Sequence, residues 1–227
     1  MPTKTKPKTS ETNGDGLLPQ RFGIELPYTI TLRLRGVTPF LFNRMDIEAY
    51  DREEGPGAKR KPRTRPEYES MIWRNDDGAL ALPVANVIGS IAAAGMYFKS
   101  PIGGNGSATP TLRRALVPAE EFATFRAPHS RNGSSEAPLQ EWDVIDFRKA
   151  NHGDRNRTPK PTYRPRLEIG WLLVAVVSVT TPEIYGPAKL LEIISRAGAV
   201  MGVGDGRTIG FGRYVLDGHE TIEGLPW

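Results

Sequence analysis

The chain has 227 residues, 38% of them hydrophobic, which suits one domain with a core but leaves a good part of the chain as loop. Its net charge of +4 and pI of about 9.4 favour anionic partners only mildly, so where the charge sits matters more than its total. With no cysteine, disulfides, thiolate metal sites and cysteine nucleophiles are excluded.

Residues 1–22 are polar, carry Lys4, Lys6 and Lys8, and read as a disordered basic tail with no secretory h-region. Residues 23–227 read as a single domain. Residues 28–36, YTITLRLRG, alternate: Ile30, Leu32 and Leu34 face one way, Thr29, Thr31, Arg33 and Arg35 the other, which is a half-buried strand. Residues 46–66 pass from an acidic half to a basic one containing Lys59, Arg60 and Lys61, and read as an exposed insertion. A short helix is expected at Pro66–Trp73, broken at Asn75–Gly78, then a short strand at 79–82. A helix follows from Pro83 to about Phe98, with Val84, Val87, Ile88, Ile91 and Phe98 on its apolar face and Gly95 weakening its last turn.

Residues 101–140, rich in Gly, Ser, Pro and Arg, read as loop with a short helix near Thr111–Leu116; with the arm that follows they make a second insertion over about 101–165. Residues 142–166 read as a hairpin arm turning at Asn151–Asp154. The longest apolar run, Ile169–Val179, is far short of the roughly 20 residues that cross a bilayer, and reads as a buried strand within 167–180. A second helix is expected over 187–201, with Leu190, Leu191, Ile194, Ala197 and Met201 on one face, and a last strand over Phe211–Leu216. The order strand, helix, two strands, helix, strand is the ferredoxin-like, RRM-like βαββαβ arrangement, an α+β fold with an antiparallel sheet and both helices on one face.

Residues 202–212, GVGDGRTIGFG, hold the strongest motif: Gly202, Gly204, Gly210 and Gly212 form two glycine–hydrophobic–glycine units around Arg207. Such glycines allow positive φ and close backbone approach, and successive amides there can bind an anion, with Arg207 adding a charge-assisted contact. The plainer alternative is that they serve a tight helix-to-strand turn and a bulge. A dinucleotide fingerprint and a P-loop both fail on residue identity and element order.

This motif resembles the glycine-rich loop of the RAMP superfamily, the CRISPR-associated RNA-binding proteins with RRM-like folds. The segment LALPVANVIGSIAAA, through Pro83, Ala85, Asn86, Val87, Gly89 and Ile91, is similar to the start of the first helix in type III backbone subunits. The chain departs from that pattern at Ile88 and Ala92, where the family often has cations, and in VTPFLFNRM, where the family often has glycines. Those departures suit a divergent, phage-borne or mobile-element-borne relative. The resemblance implies a cytoplasmic ribonucleoprotein subunit of antiviral defence. Its partners would be single-stranded RNA (or DNA), further copies of itself along the strand, and other effector subunits. It implies no membrane, cofactor or metal.

The arm carries Arg148, Lys149, Arg155, Arg157, Lys160, Arg164 and Arg166 with Phe147 and Tyr163 among them, cations interleaved with aromatics as single strands require; the family uses a comparable hairpin as a thumb between bases. The alternative is a solvated hairpin. Lys59, Arg60 and Lys61 suit phosphates or pair with the acids before them. His129, His152 and His219 are not at metal-ligand spacing, and none lies near the first helix, where RNA-cutting members carry theirs. Asp46 corresponds best to the acidic residue with which type III backbone subunits cut target RNA. The expectation is a binder of single strands; an endoribonuclease and a purely structural assembly protein are the alternatives.

Overall fold

A computed structural model describes residues 26–44, 65–127, 136–150 and 160–224. The elements are β1 (Tyr28–Gly36), β2 (Phe40–Leu41), α1 (Arg65–Glu69), β3 (Trp73–Arg74), β4 (Leu80–Pro83) and α2 (Val84–Ala94). There follow α3 (Thr109–Ala115), β5 (Leu116–Pro118), β6 (Phe122–Arg126), β7 (Val144–Ala150) and β8 (Lys160–Leu167). The chain closes with β9 (Leu172–Val179), α4 (Pro187–Val200) and β10 (Tyr214–Glu223).

The main sheet has seven strands in the order β10-β1-β9-β6-β4-β3, with β5 also on β9, and every pairing is antiparallel. Taken as β1, α2, β5 with β6, β9, α4 and β10, the chain is the βαββαβ fold: an α+β domain whose last strand lies beside its first. The alternation in β1 puts Ile30, Leu32 and Leu34 opposite Val177, Ala175 and Leu173, all fully or nearly fully buried. The apolar stripes of α2 (Val84, Val87, Ile91) and α4 (Leu190, Ile193, Ile194, Ala197) join the same core. Burying each of the Val, Leu and Ile side chains contributes about 1.5–3 kcal/mol. On the opposite face Arg33 pairs with Glu136 and Arg35 with Asp217 at 3.0 Å, so the exposed charge there is internally compensated.

Several elements differ from the sequence expectation. Within the stretch 101–165, α3, β5 and β6 belong to the core: β5 and β6 together form one broken strand along β9, from Leu116 opposite Val179 to Arg126 opposite Leu172. Their shortness and the charged interruption at Ala119–Glu121 hide the alternation. The helix expected over Pro66–Trp73 ends at Glu69, and Trp73–Arg74 pair instead with the expected strand β4, because Gly78 at φ 75° closes a turn capped by Asn75 Oδ1, which accepts from the Ala79 amide at 2.9 Å. Pro83 precedes α2 in extended conformation, and α2 ends at Ala94 in a 3-10 turn, Gly95–Tyr97. There a Cβ on Gly95 would stand 2.7 Å from the Thr109 amide nitrogen, so the glycine lets α3 cross.

The last strand begins later than expected, at Tyr214, and runs on to Glu223 through a bulge opposite Arg33 and Leu34. The arm is β7 paired with β8, extended to a three-stranded sheet by β2, and Leu167 belongs to it rather than to the buried strand. Residues 1–22, the insertion 46–64 and the arm's tip lie outside the described residues.

Candidate nucleic-acid interface

The segment 202–212 is a clasp closed on itself. Gly202, at φ 70°, ends α4, its amide donating to Ala197 O at 3.0 Å. Val203 N donates to Gly212 O at 2.9 Å, and a Cβ on Gly212 would lie 1.8 Å from Val203 O. Gly204 faces β2: a Cβ there would be 2.4 Å from the Phe40 ring, while the Asp205 amide donates to Leu41 O at 3.1 Å. The close approach for which the glycines are needed is thus, first, that of the chain's own backbone and of Phe40.

The amides of residues 202, 203, 205, 206 and 209–213 donate to protein acceptors. Among the described residues, those of Gly204, Arg207 and Thr208 have no protein acceptor. Arg207 and Thr208 are exposed. The Arg207 carbonyl takes a hydrogen bond from Arg213 Nη2 at 3.1 Å, which holds the exposed turn in place. What remains free to meet an anion is this outer turn with the Arg207 guanidinium.

The arm is docked on the clasp by one face. Pairing puts Asp146 opposite Arg164 and Arg148 opposite Thr162. Asp146 is 5% exposed and accepts from Arg148 Nε at 2.9 Å and from Arg166 Nη1 at 3.3 Å. Arg166 also bonds Glu168, and those two acids, Glu168 first, raise its pKa above the usual guanidinium value. Arg148 lies over the Phe211 ring at 4.3 Å, and Arg164 Nε sits 2.8 Å from Asp205 Oδ2, close but with its N–H not aimed at the oxygen. Two expected binding cations, Arg148 and Arg164, therefore have internal partners. The other face of the ribbon carries Phe147, 55% exposed, with its ring centroid 4.7 Å from that of Tyr163.

A third feature adjoins the clasp. Beyond β2 the chain runs through Phe42 to Asn43 and Arg44, whose guanidinium lies over the Trp73 ring at 4.8 Å. Asn43, Arg44, Trp73, Asn86, Gly204 and Asp205 line an open cleft of about 250 Å³. Ala85, Asn86 and Gly89 are exposed on α2, and a Cβ on Gly89 would meet nothing within 4 Å.

The fold thus gathers Gly202, Gly204, Arg207, Gly210, Gly212, Arg148, Tyr163 and Arg164 around the clasp and arm. Lys149 and Lys160 lie in β7 and β8, but their side chains are outside what is described. Asp46, Lys59, Arg60, Lys61, Arg155 and Arg157 lie outside the described residues. Trp73 and Arg44 were not singled out by the sequence for binding, whereas Phe147 was, and the pairing places it opposite Tyr163. Trp142 and Trp171 are packing residues, their indole N–H groups bonded to Glu69 at 3.0 Å and Thr38 O at 2.8 Å. Among the described residues no group of His, Cys, Asp and Glu could hold a metal, and no helix is long and apolar enough to cross a membrane.

No protein-family model matches the sequence, and no curated protein does. Solved structures similar in fold include Cmr6 from Pyrococcus furiosus, at 12% identity and a TM-score of 0.44, over 84% of this chain and 98% of that one. Another is a chain of the type III-B Cmr-beta complex bound to cognate target RNA, at 10% identity and a TM-score of 0.46. There the match covers 87% of this chain and spans 61% of the other's length.

Proposed function

We propose that this protein holds a single-stranded nucleic acid, RNA in the first place, by its backbone, as a subunit of a ribonucleoprotein assembly. The observation that carries this reading is the two-faced arm. Its inward arginines are bound to Asp146, Asp205 and Phe211, so the ribbon is fixed to the clasp and presents exposed Phe147, with half-buried Tyr163 beside it, on the outward face. Paired rings on an anchored ribbon beside an exposed arginine turn are what a sequence-tolerant single-strand site needs: rings for bases, cations for phosphates. The open α2 surface at Ala85, Asn86 and Gly89 allows a backbone to pass closely. The motif resemblance to RAMP proteins points the same way and favours RNA, with further copies or other subunits along the strand.

The test is fluorescence anisotropy with a labelled single-stranded oligonucleotide across salt concentrations. Affinity is expected to fall with a slope of about −0.7 per phosphate contact, and little with base sequence. Arg207→Ala should weaken binding and reduce that slope by roughly one contact, with the fold intact by circular dichroism. A flat salt response, or strict preference for one short sequence, would sink the backbone-tracking reading.

A further inference from the structure

The cleft between β2, the β3–β4 hairpin and the clasp carries chemistry that backbone tracking does not use. Its wall is the indole of Trp73, over which a planar cation, Arg44, lies at 4.8 Å, so the ring already takes a flat partner where Arg44 now sits. Its rim holds two carboxamides, Asn43 and Asn86, both exposed and each able to donate and accept. Buried Phe40, Leu41, Phe42 and Leu82 also line it, with half-buried Gly204 and Asp205.

Two quantities narrow the occupant. The space, about 250 Å³, is below the roughly 300–1,000 Å³ of sites for drug-sized ligands, and suits one ring system. The charge is nearly balanced, Arg44 against Asp205, so among the described residues the cleft is no phosphate trap. A neutral, flat group with hydrogen-bonding edges fits this set: an aromatic face to stack on, amides to pair with, and a single arginine to swing from the ring onto an adjoining phosphate.

We infer that this cleft takes one nucleobase of the bound strand, stacked on Trp73 and bonded at its edge by Asn43 and Asn86. The inference rests on the proposed single-strand function and adds to it a site at which the base, not only the backbone, is held. Trp73 stands within reach of the clasp without being part of it, its back packed toward Phe122 with ring centroids 6.0 Å apart.

The experiment compares a single-stranded oligonucleotide with an abasic strand of the same length and charge, binding to wild type and to Trp73→Leu, Trp73→Phe and Asn86→Ala. Trp73→Leu should lose about tenfold of the preference for the base-bearing strand, the effect of one base–aromatic stack, with an unchanged salt slope. Trp73→Phe should retain part of it, and Asn86→Ala, an exposed change that leaves the hairpin untouched, should lose part of it. Full preference in both Trp73→Leu and Asn86→Ala, while the strand still binds, overturns the cleft assignment alone. Failure of wild type to bind either strand overturns the proposed function and the cleft with it.

Discussion

Two kinds of glycine stand near the candidate interface, and they call for opposite outcomes on substitution. Gly212 has φ 68° and no room, since its Cβ would stand 1.8 Å from Val203 O. Gly212→Ala should cost about 1–3 kcal/mol for the left-handed backbone alone, with the collision added to it. Gly204→Val would drive a side chain into Phe40, so loss of binding there reports on the fold and not on the strand. Gly89 is helical, exposed and unobstructed, and glycine inside a helix is less favourable than alanine by about 0.8–1.0 kcal/mol. Gly89→Ala should therefore raise stability by up to that amount in urea denaturation. If a strand passes along α2, the same methyl group should lower oligonucleotide affinity. A stabilised variant that binds as wild type would place the strand elsewhere.

At the scale of elements, the arm divides its work by face. Asp146 holds two arginines at the arm's root, and removing it leaves two like charges side by side. Because those guanidinium side chains are 43% and 24% exposed, the loss is screened, and Asp146→Ala should cost about 1–3 kcal/mol rather than the 3–5 of a fully buried pair. Limited proteolysis should then cut the arm sooner. Tyr163→Ala acts on the outward face, where it should lower affinity by roughly a decade with little change in stability or salt slope. The opposite pattern, a stable Asp146 variant and an unfolded Tyr163 variant, would mean that the ring face holds the arm and the charged face does not.

For the molecule as a whole, the core is closed at several points by buried phenols. Tyr28 donates to Tyr185 O at 2.8 Å, and Tyr185 itself bonds Thr111 and donates to Ala108 O at 3.3 Å. Tyr214 lies beneath α4, where a Cβ on Gly198 would be 2.2 Å from its carbonyl oxygen. Burial raises the pKa of all three above the ordinary phenol value, because the phenolate cannot be solvated inside. The unfolded chain releases these protons near pH 10 and the folded chain later. Their contribution is therefore complete below about pH 10 and is lost as pH rises toward the raised folded values. Thermal melts should show this fall at the alkaline end, and Tyr214→Phe should make it shallower. A melting temperature flat to pH 11 would show that these phenols ionise in place.

Local periodicity was enough to find β1 with its bounds, α4 to within a residue, and the arm as a hairpin, because in each the buried face recurs at the element's own spacing. It was not enough for β5 and β6, where the strand is broken by Ala119–Glu121 and its partner, β9, comes much later in the chain. The candidate site was legible as composition: clustered glycines, and cations interleaved with aromatics. What each residue does there depends on partners remote in sequence. Arg164 meets Asp205, Arg148 meets Phe211, and Gly204 meets Phe40, and only those meetings separate the arginines that hold the arm from the rings it presents. Charge and glycine content are properties of the chain. Whether a cation is free or a glycine is needed depends on which atoms the fold brings within a few ångströms, and that was decided by the tertiary structure.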